Sequence, residues 1–409
     1  MKINISPQAF FLLAIAFFPV NYSLAVSMRP ADLLVLGSFV LMLFYLSSAK
    51  INIAALLWVL FAVTSILFAV FWRLESGGDL EQLIFVYKYI FIFIVLVLAL
   101  NTFKSRIYLH KASKVFYVVL VLLSLWVFVY YYLVLSGSIR GNIRPSFPFS
   151  NSYLESDAHL YSSVLAMLLF SYVYILKDIL GHGNKRVLAT VTLCLLAMIF
   201  TGSRTGIALV FIGLWLQLLS TLIFSAKSTY FISLRRTTVY ILMAGFLAAS
   251  IPVFVTLYSI DLSTYTGLVD RAFNFNLGED ASSLGRFVKF DIALNEFSSS
   301  NFIGTGPMHA SVDWYDNLIA SLLVHGGIVL LTVSFGATLF CFAKGFHKAE
   351  SGIYLTKPRI TFMILLFMYF TANIITEYIL VTRSALPSIC LIVIAYYWSK
   401  YKVDNKELR

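Results

Sequence analysis

Arg204 lies in the run TGSRTG, residues 201–206, where two apolar stretches meet with no room for an ordinary loop. A guanidinium at such a depth is expensive unless it is solvated or paired. It could snorkel to the headgroups, but Gly202 and Gly206 flank it and would let a backbone or a ligand approach closely. A second basic pair, Arg286 and Lys289, follows Ser282-Ser283-Leu284-Gly285 at a spacing of one helical turn. Asp316-Asn317 then opens a long apolar run, with His325 more than two turns deeper. A carboxylate there could cap a helix or accept a proton, although an ordinary aspartate, with a pKa of ~3.9, is a weak base at neutral pH. Arg29 and Asp32, Arg140 and Arg144, Ser203, Glu377 and Arg383 complete the polar groups at similar positions. Glu377 and Arg383 could simply pair with each other. Arginine's planar fork holds phosphate oxygens bidentately. The chemistry these residue types suggest is therefore the stabilisation of charge developing on a phosphate or diphosphate. Neither an Asp-x-Asp pair nor a His/carboxylate cluster at ligand spacing accompanies them, so no metal and no cofactor is expected.

These side chains must be positioned by a membrane bundle. Of 409 residues 60% are apolar and only 12% charged, about half the charged share of a soluble domain. Apolar runs of about 20 residues, the length that crosses ~30 Å of hydrocarbon, place spans at 8–26, 31–49, 53–72, 82–100, 114–136, 158–176, 187–201, 205–224, 238–258, 315–341, 361–381 and 385–398. The expected fold is an all-α polytopic membrane protein of about twelve spans, a single integral domain over residues 1–409. The first span has signal-peptide features, with Lys2 and small residues near Ala25–Ser27, but eleven further spans favour a retained helix.

Sidedness follows from charge. With Met1 inside, 20 of the 30 basic residues fall on connectors of one side, including the 101–113 loop, together with only four of the 19 acids. The opposite orientation violates the positive-inside bias at almost every loop. Both termini are then cytoplasmic, and the net charge of +11 reports topology and contact with anionic lipid rather than nucleic acid. Two outer connectors are long, 137–157 and 259–314. In the second, Leu284, Phe287, Phe290, Leu294 and Phe297 recur at helical spacing with Arg286 and Lys289 on the flank. A short amphipathic helix is expected there, capped by Ser282 or Ser283 and lying on the membrane surface or over a cavity. Tyr258, Tyr265, Trp314 and Tyr315 could stack on sugar rings or anchor at the interface. Cys194, Cys341 and Cys390 give neither a disulfide framework nor a metal spacing.

The chain resembles the O-antigen polymerase/ligase superfamily of bacterial inner-membrane glycosyltransferases. The resemblance rests on Arg29-Pro30-Ala31-Asp32, Ser203-Arg204-Thr205-Gly206, Ser282-Ser283-Leu284-Gly285-Arg286, Gly304-Thr305-Gly306 and Asp316-Asn317-Leu318, in this order and on this side. It implies a GT-C-like fold and a metal-independent transfer at the periplasmic face, with polyprenyl diphosphate as leaving group. Arg204, Arg286 and Asp316 would be catalytic. Arg29, Asp32, Arg140, Arg144, Ser203, Lys289, Asn317, Glu377 and Arg383 would bind substrate. Donor and acceptor would be undecaprenyl-diphosphate-linked oligosaccharides, with a chain-length regulator as protein partner. The residue before Asn317 is typically a histidine in the ligase branch and is Asp316 here, which favours the polymerase branch. The alternatives are an O-antigen ligase acting on lipid A core and, in a different class, a twelve-helix polysaccharide flippase.

Overall fold

The computed structural model describes residues 6–23, 28–44, 53–72, 84–140, 144–150, 153, 157–224, 281–312, 315–346, 357–376 and 381–407. Every regular element among them is a helix, with no strand. In chain order the helices are α1 (Pro7–Phe17), α2 (Pro30–Phe44), α3 (Ile53–Trp72), α4 (Ile84–Thr102), α5 (Arg106–Leu135) and α6 (Ala158–Leu180). Then come α7 (Asn184–Phe200), α8 (Arg204–Phe224), α9 (Ala281–Ser299), α10 (Leu318–Phe346), α11 (Lys357–Thr376) and α12 (Thr382–Glu407). Among the described residues four segments are long and apolar enough to cross a membrane: Ile84–Thr102, Arg106–Leu135, Ala158–Leu180 and Leu318–Ala337.

The outer surface of the bundle carries the same message. Phe61, Phe68 and Phe71 on α3, Leu122 and Val129 on α5, and Phe211 and Trp215 on α8 all point away from protein. An apolar perimeter of this extent suits lipid and not water. The protein is a helical, membrane-embedded one.

Several expected boundaries move, each for a local reason. The span expected at 8–26 stops as a helix at Phe17, because Pro19 has no N–H with which to continue the helical hydrogen-bond ladder. The 101–113 segment is not a loop: α5 begins at Arg106, since Ile107 to Ala112 contains no helix breaker and buries Leu109 and Ala112. Neither Ser282 nor Ser283 caps α9, which already includes Ala281, the residue type with the highest helix propensity. The span expected at 238–258 lies outside the described residues.

Helix α6 is the axis of the bundle. Every residue from Leu160 to Leu176 is buried, including a π-helical turn at Tyr172–Leu176. Around it pack α5, α7, α8, α11 and α12. Gly206 makes the α6–α8 contact possible: a Cβ there would lie 2.6 Å from the Ser162 backbone oxygen. The close approach that Gly206 permits is therefore that of α6 itself.

Helix α10 is broken at Gly326 and Gly327, where the backbone leaves helical geometry. The freed groups are recapped by the segment that follows α9. Gly306 N–H donates to the Val324 carbonyl (3.0 Å) and Ile328 N–H to the Phe302 carbonyl (3.1 Å). Gly327, at φ 63 and ψ −155, occupies a region essentially closed to other residues. A Cβ on it would meet Ile303 at 2.3 Å. The break thus locks α9 and its turn onto the α10 helix.

Candidate functional site

At one end of the bundle, charged side chains from six segments converge on the first turn of α6. Asp157, the residue before α6, accepts from Arg383 Nη1 at 2.6 Å, tying the start of α12 to the start of α6. The Arg383 guanidinium is only 7% exposed and lies over the Phe147 ring, 4.9 Å from its centroid. Its Nε finds no hydrogen-bond partner. Phe147 belongs to the 144–150 stretch of the expected outer loop, which folds back onto the helix ends: Trp126 Nε1 donates to the Ser146 carbonyl, and Phe147 packs edge-on against Tyr161.

His159, in the first turn of α6, is the hub. It stands within electrostatic reach of Arg286 on α9, Asp316 ahead of α10, Arg144 in the folded-back loop, and Asp157. Its backbone carbonyl accepts from Ser163 Oγ at 2.7 Å. Ser162 Oγ donates to Ser203 Oγ at 2.8 Å, so the residue preceding Arg204 touches the same turn of α6. Ser203 is 2% exposed and makes this helix contact. Arg204 is the first residue of α8 and is half-buried. Arg204 and Arg286, expected to act together, thus approach α6 from two different elements.

Helix α9 turns its charged flank inward. Arg286 and Lys289 are half-buried, whereas Leu284, Phe287, Val288 and Leu294 are exposed. The apolar stripe expected to be continuous is split, with Phe290 and Phe297 on the protein side. Lys289 Nζ meets Asp316 Oδ2 at 2.7 Å. Glu296, one helical stretch further on, accepts from Ser311 N–H (2.9 Å) and from Tyr315 Oη (2.7 Å). Two carboxylate contacts and one ion pair therefore bind the loop ahead of α10 to α9. Tyr315 is buried, with its hydroxyl taken up by Glu296.

Asp316 and Asn317 divide the roles that either could have taken. Asn317 Oδ1 accepts from Ile319 N–H (2.8 Å) and Ala320 N–H (3.3 Å), so Asn317 is the cap of α10. Asp316, held at a φ of 57, is left to face α9. His325 lies apart from this cluster: it is buried, with its ring 4.3 Å from that of Phe85 beside Lys88.

Arg29 and Asp32 form a third part of the same end. The Asp32 carboxylate accepts from the Arg29 backbone N–H at 3.0 Å, the reach-back half of a capping box around Pro30. Arg29 Nε donates to Asn21 Oδ1 (2.9 Å), and Asn21 Nδ2 donates to Ser150 Oγ (3.0 Å), which anchors the folded-back loop. Burial first, and the neighbouring Arg383 guanidinium second, lower Arg29 from its usual range to about 10, so it stays protonated at neutral pH. Arg140 is exposed and Arg144 half-buried. Glu377, Asp313, Trp314, Tyr258 and Tyr265 lie outside the described residues. Arg383, expected opposite Glu377, pairs with Asp157.

His159 and Asp157 escaped the reading of the sequence. The signal was present, because Glu155-Ser-Asp157-Ala-His159 stands at the mouth of an apolar span just as Asp316-Asn317 does. Among the described residues no group of three His, Cys, Asp or Glu side chains could hold a metal ion. The arrangement can hold a polyanion between Arg286 and Arg144 and offers a nitrogen base, His159, beside them. No protein-family model and no curated protein matches the chain.

Proposed function

We propose that the protein polymerises lipid-diphosphate-linked oligosaccharide repeat units into O-antigen or a related surface polysaccharide. The reaction takes place at the periplasmic face of a bacterial inner membrane, in a GT-C-like bundle of about twelve spans. It needs no metal. Arginine and lysine hold the polyprenyl diphosphate of the donor as charge develops on it, and the sugar hydroxyl of a second lipid-linked unit attacks the anomeric carbon. The observation that carries this reading is the gathering of Arg144, Arg286 and Asp316 around His159 at one end of a membrane bundle, with Arg383 held through Asp157 alongside. Aspartate rather than histidine before Asn317 favours chain extension over transfer to lipid A core.

The surface glycan banding pattern of a deletion strain tests the reading. Loss of the ladder, with the lipid A core carrying a single repeat unit, is the expected result. Accumulated lipid-linked polymer would instead identify a ligase. A transporter is the second reading, and the break in α10 favours it, because interrupted helices line many transport sites. It predicts lipid-linked single units trapped on the cytoplasmic leaflet, a third and separate outcome.

A further inference from the structure

We propose that His159 is the general base that deprotonates the attacking hydroxyl, an inference that rests on the glycosyl-transfer reading. The two carboxylates nearest the hub are already engaged. Asp316 Oδ2 sits 2.7 Å from the Lys289 ammonium, and Asp157 Oδ2 sits 2.6 Å from the Arg383 guanidinium. An imidazole differs from both in being neutral before the reaction, so it can take up a proton without first giving up an ion-pair partner. His159 is also placed for it: partly exposed, in the first turn of the central helix.

The groups around His159 suit both of its protonation states. Arg286 faces it from α9 and Arg144 from the folded-back loop, while Asp316 faces it from the loop ahead of α10 and Asp157 from its own helix start. Before the reaction the two arginines attract the donor diphosphate to the side of a neutral ring. Once the ring is protonated, the two carboxylates offset the new charge. Its position is held from behind by the Ser163 bond to its carbonyl and by the Ser162–Ser203 contact with α8.

The step balances without another reagent. The acceptor oxygen forms a bond to the donor's anomeric carbon as its proton passes to an imidazole nitrogen. The bond between that carbon and the diphosphate oxygen breaks, and its electron pair leaves with the polyprenyl diphosphate. The imidazolium then releases the proton to water at the periplasmic face.

Full-length protein in lipid nanodiscs, supplied with lipid-linked repeat units extracted from the deletion strain, provides the test. His159→Gln should lower kcat about a hundredfold or more and leave KM for the lipid-linked unit nearly unchanged. Added imidazole should restore part of the activity of His159→Ala, which leaves room for it, and none to His159→Gln. Turnover of His159→Gln close to wild type overturns the assignment. So does a loss that appears in KM, or one that imidazole leaves untouched in His159→Ala while the melting temperature stays at the wild-type value. Wild-type protein that leaves the extract unchanged removes the glycosyl-transfer reading and the base with it. Wild-type turnover with an unimpaired histidine variant removes only the base.

Discussion

At the scale of single residues, the site separates groups that hold charge from groups that hold the fold. Arg286 faces the hub at His159, whereas Arg29 is taken up by Asn21 and Ser203 by Ser162. If Arg286 and Arg204 grip a diphosphate, they need the planar fork as well as the charge. Lysine keeps the charge and loses the fork. Arg286→Lys and Arg204→Lys should each cost ~3 kcal/mol of transition-state stabilisation, or about a hundredfold in rate. The measurement is polymer length and yield in the deletion strain complemented at matched membrane expression. Near-normal ladders would mean that the arginines only snorkel, a role lysine fills equally well. The sequence announced these arginines because a charge between two apolar runs stands out. It hid the Lys289–Asp316 pair, which joins residues far apart in the chain, and it made Asp316 look like an available base. Only the fold shows that its carboxylate is occupied.

At the scale of elements, the turn after α9 and the break in α10 act as one joint. Helix α9 carries Arg286 and Lys289, and the joint fixes where that helix ends relative to the bundle. Apolar periodicity gave α10 as a continuous span, since Gly326-Gly327 inside a long apolar run does not by itself mark a break. What makes the break is the pairing of Gly306 and Ile328 with carbonyls across it, and such long-range partners leave no local trace. The α9 stripe shows the same limit. Its helical spacing was legible, but which flank faces protein depends on where Asp316 and Tyr315 stand. Gly327→Ala should therefore destabilise by at least ~1–3 kcal/mol from backbone strain alone, with the Ile303 clash added. Gly285, on α9 with open space at its Cβ position, should behave oppositely: Gly285→Ala should be neutral or stabilise by up to ~1 kcal/mol. Melting temperatures in one detergent would compare the two. Equal effects would show that the joint is not a constraint.

At the scale of the whole molecule, the two ends of the bundle differ in chemistry, and the difference predicts an orientation. At the end away from His159, Tyr397 Oη donates to the Leu100 carbonyl at 2.8 Å, Tyr401 Oη bonds the Lys104 carbonyl, and the Arg106 guanidinium lies over the Tyr401 ring. Lys177, Lys185 and Arg186 border that same end, beside the α6–α7 turn. Of the described acids, Asp32, Asp157, Glu296 and Asp316 gather at the other, while Asp178, Asp404 and Glu407 stay with the basic residues. This partition was the most legible feature of the chain, because it needs only the order of basic connectors and apolar runs. Positive charge is retained on the cytoplasmic side, so the His159 end should face the periplasm. Reporters fused after Lys227 and after Ser300 test this directly. A reporter that is active only in the cytoplasm should work at Lys227 and fail at Ser300, and one that needs export should do the reverse. Ser300 closes α9, the helix that carries Arg286. A cytoplasmic signal there would place the cluster on the side where nucleotide sugars and ATP are available. The case for a lipid-diphosphate donor, and with it the polymerase reading, would then fall.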